Sequence, residues 1–186
     1  LAEDEAERRR WGVNSTPLTP QELHALEPHL ADRFVGAVHL TDPYSVADPR
    51  ALGQAHAELF QKRGGRFARG EARTLENAGS VWRVATDDGW IEAPEVVVAL
   101  GPWSDDVTRK HGLRLPLGWK RGYHMHYRAA GNAVLNRPVV DTEFGFLITP
   151  AATGIRLTTG AEFAMRDAPA TPVQLERLEP HAREIF

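Results

Sequence analysis

The longest uninterrupted apolar stretch of the chain is Val96-Val97-Val98-Ala99-Leu100. It shows no alternation, and a run that short and that β-branched predicts a strand buried on both faces. Gly101 and Pro102 stop it. Trp103 and Ser104 then open a short polar helix that Gly112 closes. Upstream, Thr19-Pro20-Gln21-Glu22 has capping-box spacing, so a short helix starts at Pro20 and ends before Pro28. A brief strand falls within Phe34 to Leu40. Asp48 caps a second helix whose stripe is Leu52, Ala55, Leu59 and Phe60, and Gly64-Gly65 ends it. Val81 to Thr86 and Trp90 to Ala93 flank Asp87-Asp88-Gly89, a hairpin signal.

Downstream the period changes to that of short strands: Pro138 to Val140, Phe144 to Thr149 and Ile155 to Thr159, with Pro150 to Gly154 as a hairpin loop. Thr171-Pro172-Val173-Gln174 repeats the capping-box pattern ahead of a last helix carrying Leu175 and Leu178, which Pro180 is expected to kink or restart. The charge-dense opening Ala2 to Trp11 reads equally as the tail of a helix or as a frayed end. This order predicts a fold between α/β and α+β, with a parallel α/β portion, then a strand-rich portion with a mixed or antiparallel sheet. The expected division is a charged leader over 1–17, an α/β region over 18–112 and a strand-rich region over 113–186.

Composition narrows the function classes. With 22 Lys and Arg against 25 Asp and Glu, the formal net charge of −3 gives no reason to expect a nucleic-acid partner. No apolar run reaches membrane-spanning length, and no signal-peptide pattern is present. The absence of cysteine removes disulfide and thiolate chemistry and agrees with a cytoplasmic location.

Two segments are candidates for chemistry. A strand that ends on glycine where a helix begins gathers backbone N–H groups, the arrangement by which open α/β sheets bind ligands. Gly101 is therefore either a ligand-facing glycine or a plain strand-ending turn. The second segment is Gly118 to Tyr127, which sets Lys120, Arg121, His124 and His126 among Trp119, Tyr123 and Tyr127. Along a strand, Arg121, Tyr123 and Met125 point one way and His124 and His126 the other. Which set meets a ligand stays open, as does the reading of an exposed basic edge strand that discourages aggregation. A guanidinium or a Tyr hydroxyl suits a carboxylate. His124 and His126 are two imidazoles without a recognisable third ligand, so no metal site is assigned.

VVVALGPWS followed by LPLGWKRGYHMHY resembles the D-amino-acid oxidase/dehydrogenase (DAO) family of FAD-dependent amine oxidoreductases, over about Leu18 to the C-terminus. Outside those motifs the likeness lies in the order of elements. The resemblance implies FAD as cofactor, with Ala99, Leu100, Gly101 and Trp103 beside the flavin nucleotide. Arg66 to Arg69 would be a strand near the adenine end, and Ala72 would meet adenine through its backbone where relatives often carry valine. It further implies that Arg121, Tyr123 and His124 face the substrate, that Leu147 lies on the strand roofing the pocket, and that Glu162 is a structural hydrogen-bonding residue.

The implied reaction oxidises the C–N bond of a D-amino acid or an N-substituted amino acid. A hydride passes to FAD, and the resulting imine hydrolyses to a 2-oxo acid. No residue is assigned as a catalytic acid or base. The glycine fingerprint GxGxxG is absent, so the expectation is a central segment of a family member, inactive in isolation. Its partner would be the remainder of the polypeptide or a second copy in a homodimer. Two other readings stand: a non-catalytic module that does not bind FAD by itself, and a nucleotide- or anion-binding domain without redox chemistry.

Overall fold

The computed structural model describes residues 2–186. In chain order its first half holds α1 (Ala2–Arg10), β1 (Ser15–Leu18), α2 (Pro20–Leu26), β2 (Ala37–Leu40), α3 (Pro49–Lys62), β3 (Glu76–Asn77), β4 (Trp82–Thr86) and β5 (Gly89–Ala93). The second half holds α4 (Ser104–Thr108), β6 (Lys120–Tyr127), β7 (Val139–Asp141), β8 (Phe146–Ala151), β9 (Gly154–Phe163) and α5 (Val173–Ile185). Short 3-10 turns cover Ala72–Thr74, Gly101–Trp103 and Arg109–His111. The strands form three sheets, in the orders β1-β2, β3-β4-β5 and β6-β9-β8-β7. The pairs β1–β2, β3–β4, β4–β5, β7–β8 and β8–β9 are antiparallel. The class is mixed α/β with antiparallel sheets.

The chain divides into two compact units, one comprising Leu1–Leu52, Gly122–Glu162 and Pro169–Phe186, the other Gly53–Arg121 and Phe163–Ala168. The first unit is built on the four-stranded sheet and α5. Helix α5 presents Leu175, Leu178, Ala182 and Ile185 at spacings of three and four residues, which makes one apolar stripe. That stripe packs with Phe146 and Ile148 of β8 and Ile155 and Leu157 of β9, joined by Leu30 and Leu135. Side chains alternate along a strand, so Leu147, Thr149, Arg156 and Thr158 fall on the sheet's other face.

Buried carboxylates in this unit hold loops. Glu27, only 2% exposed, accepts the Asn136 N–H at 2.9 Å and an Arg137 Nη1 hydrogen bond at 3.3 Å. Asp141 Oδ1 accepts the N–H groups of Glu143 and Phe144, both at 2.9 Å, and so forms the turn between β7 and β8.

The second unit is smaller. Its β4–β5 hairpin turns through Asp87-Asp88, with Thr86 opposite Gly89. Gly70 bridges to Thr86, and a Cβ there would lie 2.4 Å from the Ala85 carbonyl oxygen, so only glycine permits the approach.

The local signals read from the sequence form as expected at several points. Thr19 and Glu22 make both bonds of the capping box. Asp48 Oδ1 accepts the Ala51 N–H at 3.0 Å at the head of α3. The opening charged segment is helical from Ala2 to Arg10.

Four expectations are corrected. Val96–Leu100 is not a buried strand: it pairs with no strand among the described residues, and Val96 and Val97 are 41% and 88% exposed. Apolarity asks for cover and a ladder, and neither is supplied here. Arg66–Arg69 is irregular backbone, although Arg69 O accepts the Asp87 N–H at 2.9 Å. Thr171 does not cap α5: the helix has no side-chain cap, and the Thr171 hydroxyl is donated to Glu162 instead. Pro180 does not restart α5, which runs through it to Ile185. Burial of Ala182 and Ile185 beyond the proline offsets the one missing helical N–H.

Leu157 is fully buried at the centre of the apolar cluster. Leu157→Ala is expected to cost about 2–5 kcal/mol, read as a lowered midpoint in chemical denaturation.

Candidate functional site

In the second unit the apolar run ends at Leu100, and Gly101 takes a positive φ of 55° before the chain turns into α4. Gly101 is exposed, and a Cβ placed on it would meet nothing within 4 Å. The constraint there is conformational, since an L side chain resists the left-handed region, while the space beside the backbone is open.

The turn is held on both sides. The Trp119 indole N–H donates to the Pro102 carbonyl at 3.3 Å. Trp103 is half exposed, with the Arg166 guanidinium 6.0 Å from its ring centre, and Arg166 in turn pairs with Asp106 at 2.9 Å. Asp105, buried in α4, accepts the Leu115 N–H at 2.8 Å and also pairs with Arg109. The Leu115 bond and then the Arg109 pair hold its carboxyl below the usual range. That stabilisation is present above the ordinary carboxylate pKa and is lost as pH falls through the lowered one.

Ala72 belongs to the same neighbourhood. It opens the 3-10 turn Ala72–Thr74, and its carbonyl accepts the Leu75 N–H at 3.1 Å. Lys110 Nζ donates to the Arg73 carbonyl at 3.0 Å, and His111 Nε2 lies 3.1 Å from the Leu75 carbonyl. The segment after α4 is thus docked on the Ala72 turn, and Ala72, Ala99, Leu100, Gly101 and Trp103 all lie in this unit. Arg121 is half-buried in it too, donating from Nη1 to the Ala168 carbonyl at 2.5 Å.

In the first unit the two faces of β6 have different surroundings. Tyr123 and Tyr127 of β6 are half-buried and pack against the apolar cluster. The Tyr123 hydroxyl donates to Glu162 at 2.6 Å and accepts the Thr171 N–H at 2.8 Å, while the Thr171 hydroxyl donates to the other Glu162 oxygen at 2.5 Å. Glu162 is the structural hydrogen-bonding residue expected of it.

His124 and His126 take the opposite, exposed face, their rings 5.5 Å apart. Thr153 Oγ1 lies 3.3 Å from His126 Nδ1. Leu147, half-buried, is on that same face and sits opposite Thr158 in the β8–β9 register. Partial burial, then the charge of Arg156, then His126, lower the pKa of His124 from its ordinary value. Arg156 is the charged residue that sequence reading passed over. The signal available was a cation between two apolar strand positions, Ile155 and Leu157.

Fold and site first define a class: a mixed α/β protein with antiparallel sheets, in which an exposed apolar segment ends on a glycine with open space beside its backbone. The chain belongs to the DAO family of FAD dependent oxidoreductases, whose profile matches residues 1–186. It is 32% identical over 185 residues to a D-amino acid dehydrogenase of Cereibacter sphaeroides, covering 96% of this chain and 42% of that protein. It is 28% identical over 191 residues to a glycine oxidase of Pseudomonas putida, covering 99% of this chain and 52% of that one. The crystal structure of glycine oxidase from Geobacillus kaustophilus superposes with a TM-score of 0.78 at 23% identity, over 100% of this chain and 51% of that chain. The chain thus spans about half the length of these relatives.

Two outcomes follow from the geometry. Gly101→Ala meets no clash but forces an L residue to φ 55°, and is expected to cost about 1–2 kcal/mol in denaturant unfolding. Tyr123→Phe leaves Glu162 and the Thr171 N–H each short of a partner. It is expected to lower stability by about 1–3 kcal/mol, measured as the shift in unfolding midpoint.

Proposed function

We propose that the polypeptide containing this chain oxidises the C–N bond of an amino acid, a D-amino acid or an N-substituted one, to an imine that hydrolyses to a 2-oxo acid. The observation that carries the reading is the open backbone at Gly101, at the end of an exposed apolar segment, in a chain matched along its whole length by an FAD-dependent family. The residues present suit a flavin nucleotide. Gly101 lets a planar or phosphorylated group approach the main chain, and Val96 and Val97 offer apolar surface in want of cover. In this reading Ala72, Ala99, Leu100, Gly101 and Trp103 hold FAD, Ala72 through its backbone. When bound, the flavin supplies the electrophile that accepts hydride.

What the chain's own residues contribute is orientation. His124 and Leu147 meet the substrate from the exposed sheet face. Tyr123 acts by fixing β6 through Glu162 and Thr171. Arg121 adds positive charge at the start of that strand. Such chemistry needs no strong general base if the amine arrives neutral. The carboxylates of Glu27, Asp105, Asp141 and Glu162 are already engaged in structural hydrogen bonds.

We assign residues 18–112 to a partial FAD-binding region and 113–186 to a substrate region, with 1–17 as a charged leader. The remainder of the polypeptide, or a second copy in a homodimer, completes the site, and the location is cytoplasmic. Among the described residues no helix is long and apolar enough to cross a membrane.

The test is spectroscopic. The polypeptide that carries this segment should purify with visible flavin absorbance, and anaerobic addition of D-amino acids or N-methylated amino acids should bleach it with formation of a 2-oxo acid. A preparation that stays colourless with added FAD, or a flavin that no amino acid reduces, would overturn the reading in favour of a non-catalytic module.

A further inference from the structure

Two short turns carry most of the residues read as cofactor contacts, Ala72–Thr74 and Gly101–Trp103, and both lie in the second unit. They are distant in sequence, yet one segment serves both. Gly101–Trp103 runs directly into α4, and α4 runs directly into the turn Arg109–His111. That turn ends on Gly112 at a φ of 84°, with the Gly112 N–H on the Arg109 carbonyl and the Leu113 N–H on the Thr108 carbonyl, both at 3.2 Å. Asp105 stiffens the segment from within, since it accepts the Leu115 N–H and pairs with Arg109.

The far end of this segment meets the Ala72 turn through two carbonyls, that of Arg73 from Lys110 and that of Leu75 from His111. The two bonds differ in worth. Lys110 and Arg73 are exposed, so water competes for the first. The second is sheltered: His111 is half-buried, Leu75 is buried, and the imidazole meets the Trp82 ring edge-on, with centroids 4.9 Å apart and planes at 84°. A carbonyl oxygen only accepts, so the His111 Nε2 carries the ring proton. On its other side the turn is held by β4, where Thr74 Oγ1 accepts the Ala85 N–H at 2.9 Å and the Glu71 N–H donates to the Ala85 carbonyl at 3.1 Å.

We infer that His111 is a positioning residue for the cofactor: its hydrogen bond to Leu75 fixes the Ala72 turn relative to the Gly101 turn. The inference rests on the reading of Ala72 and Gly101 as FAD contacts, and adds to it the residue that makes them one preformed site. A dinucleotide that engages both turns gains from their being held in place, because the cost of ordering them is met before it binds. A mononucleotide that engages only the Gly101 turn has no second contact to gain from. His111 therefore favours FAD over FMN, acting through the Ala72 turn.

The test uses the apo form of the polypeptide that carries this segment, and it reads binding in place of turnover. Dissociation constants for FAD and FMN are measured by flavin fluorescence on two variants. His111→Phe keeps an aromatic edge for Trp82 and removes the donor, whereas His111→Gln supplies an amide N–H in its place. His111→Phe should weaken FAD binding about three- to tenfold, the range for one lost hydrogen bond, and leave FMN binding nearly unchanged. His111→Gln should restore most of the FAD affinity. In nitrogen NMR of the unliganded wild type, neutral His111 should carry its proton on Nε2, and amide hydrogen exchange at 72–75 should quicken in His111→Phe. Unchanged FAD affinity in His111→Phe, a parallel loss of FMN affinity, no rescue by His111→Gln, or a neutral His111 protonated on Nδ1 would each overturn the inference. The last of these needs no variant, so it decides the matter even if His111→Phe does not fold. A wild-type polypeptide that binds no FAD would be a different failure, that of the two turns as cofactor contacts, and would take the role of His111 with it.

Discussion

Leu175, Leu178, Ala182 and Ile185 of α5 lie in the same apolar cluster as Phe146, Ile148, Ile155 and Leu157 of the sheet. Strand side chains alternate, so covering one face commits every second residue of β6, β8 and β9 to the core and leaves the others outside. Tyr123 and Tyr127 go inward, and His124, His126, Leu147 and Arg156 go outward. A slip of one residue in β6 would exchange the two sets and put imidazoles against α5. Burial of this one helix therefore decides which side chains are available for chemistry.

The polar groups reinforce that choice. Tyr123 carries a hydroxyl into a half-buried position, and the hydroxyl is satisfied by Glu162 and Thr171. The link joins β6, β9 and the segment that leads into α5, so the strand's orientation is secured by hydrogen bonds as well as by apolar area. In the other unit, Asp105, Arg166 and Trp119 play a comparable part around Gly101-Pro102-Trp103. The carboxylates serve as fasteners. The imidazoles of His124 and His126 and the side chain of Arg156 are what the exposed sheet face presents.

Signals that act within a few residues are legible in the amino-acid order itself. The Thr19–Glu22 capping box, the Asp48 cap and the Asp87-Asp88 hairpin depend on neighbours in sequence, and each forms. Thr171-Pro172-Val173-Gln174 has the same local grammar and fails, because Glu162, nine residues upstream on β9, offers the Thr171 hydroxyl a carboxylate. Pro180 does not restart the helix for a related reason, since the packing of Ala182 and Ile185 lies outside any local window. Val96 to Leu100 shows the limit from the other side. A β-branched apolar run states a demand for burial, but the strands that would meet it are not among the described residues.

The amino-acid sequence alone determined the local elements, the mixed α/β class and, through VVVALGPWS and GWKRGYHMHY, the family to which the chain belongs. It determined that Gly101 ends an apolar run and that one strand is rich in cations and aromatics. Only the tertiary structure decided that the imidazoles of that strand are exposed while its tyrosines are packed away, and that Arg156 shares the face of the imidazoles. The reason is physical: period and propensity are set by neighbours along the chain, whereas the face a strand shows to solvent is set by whichever distant helix buries the other one.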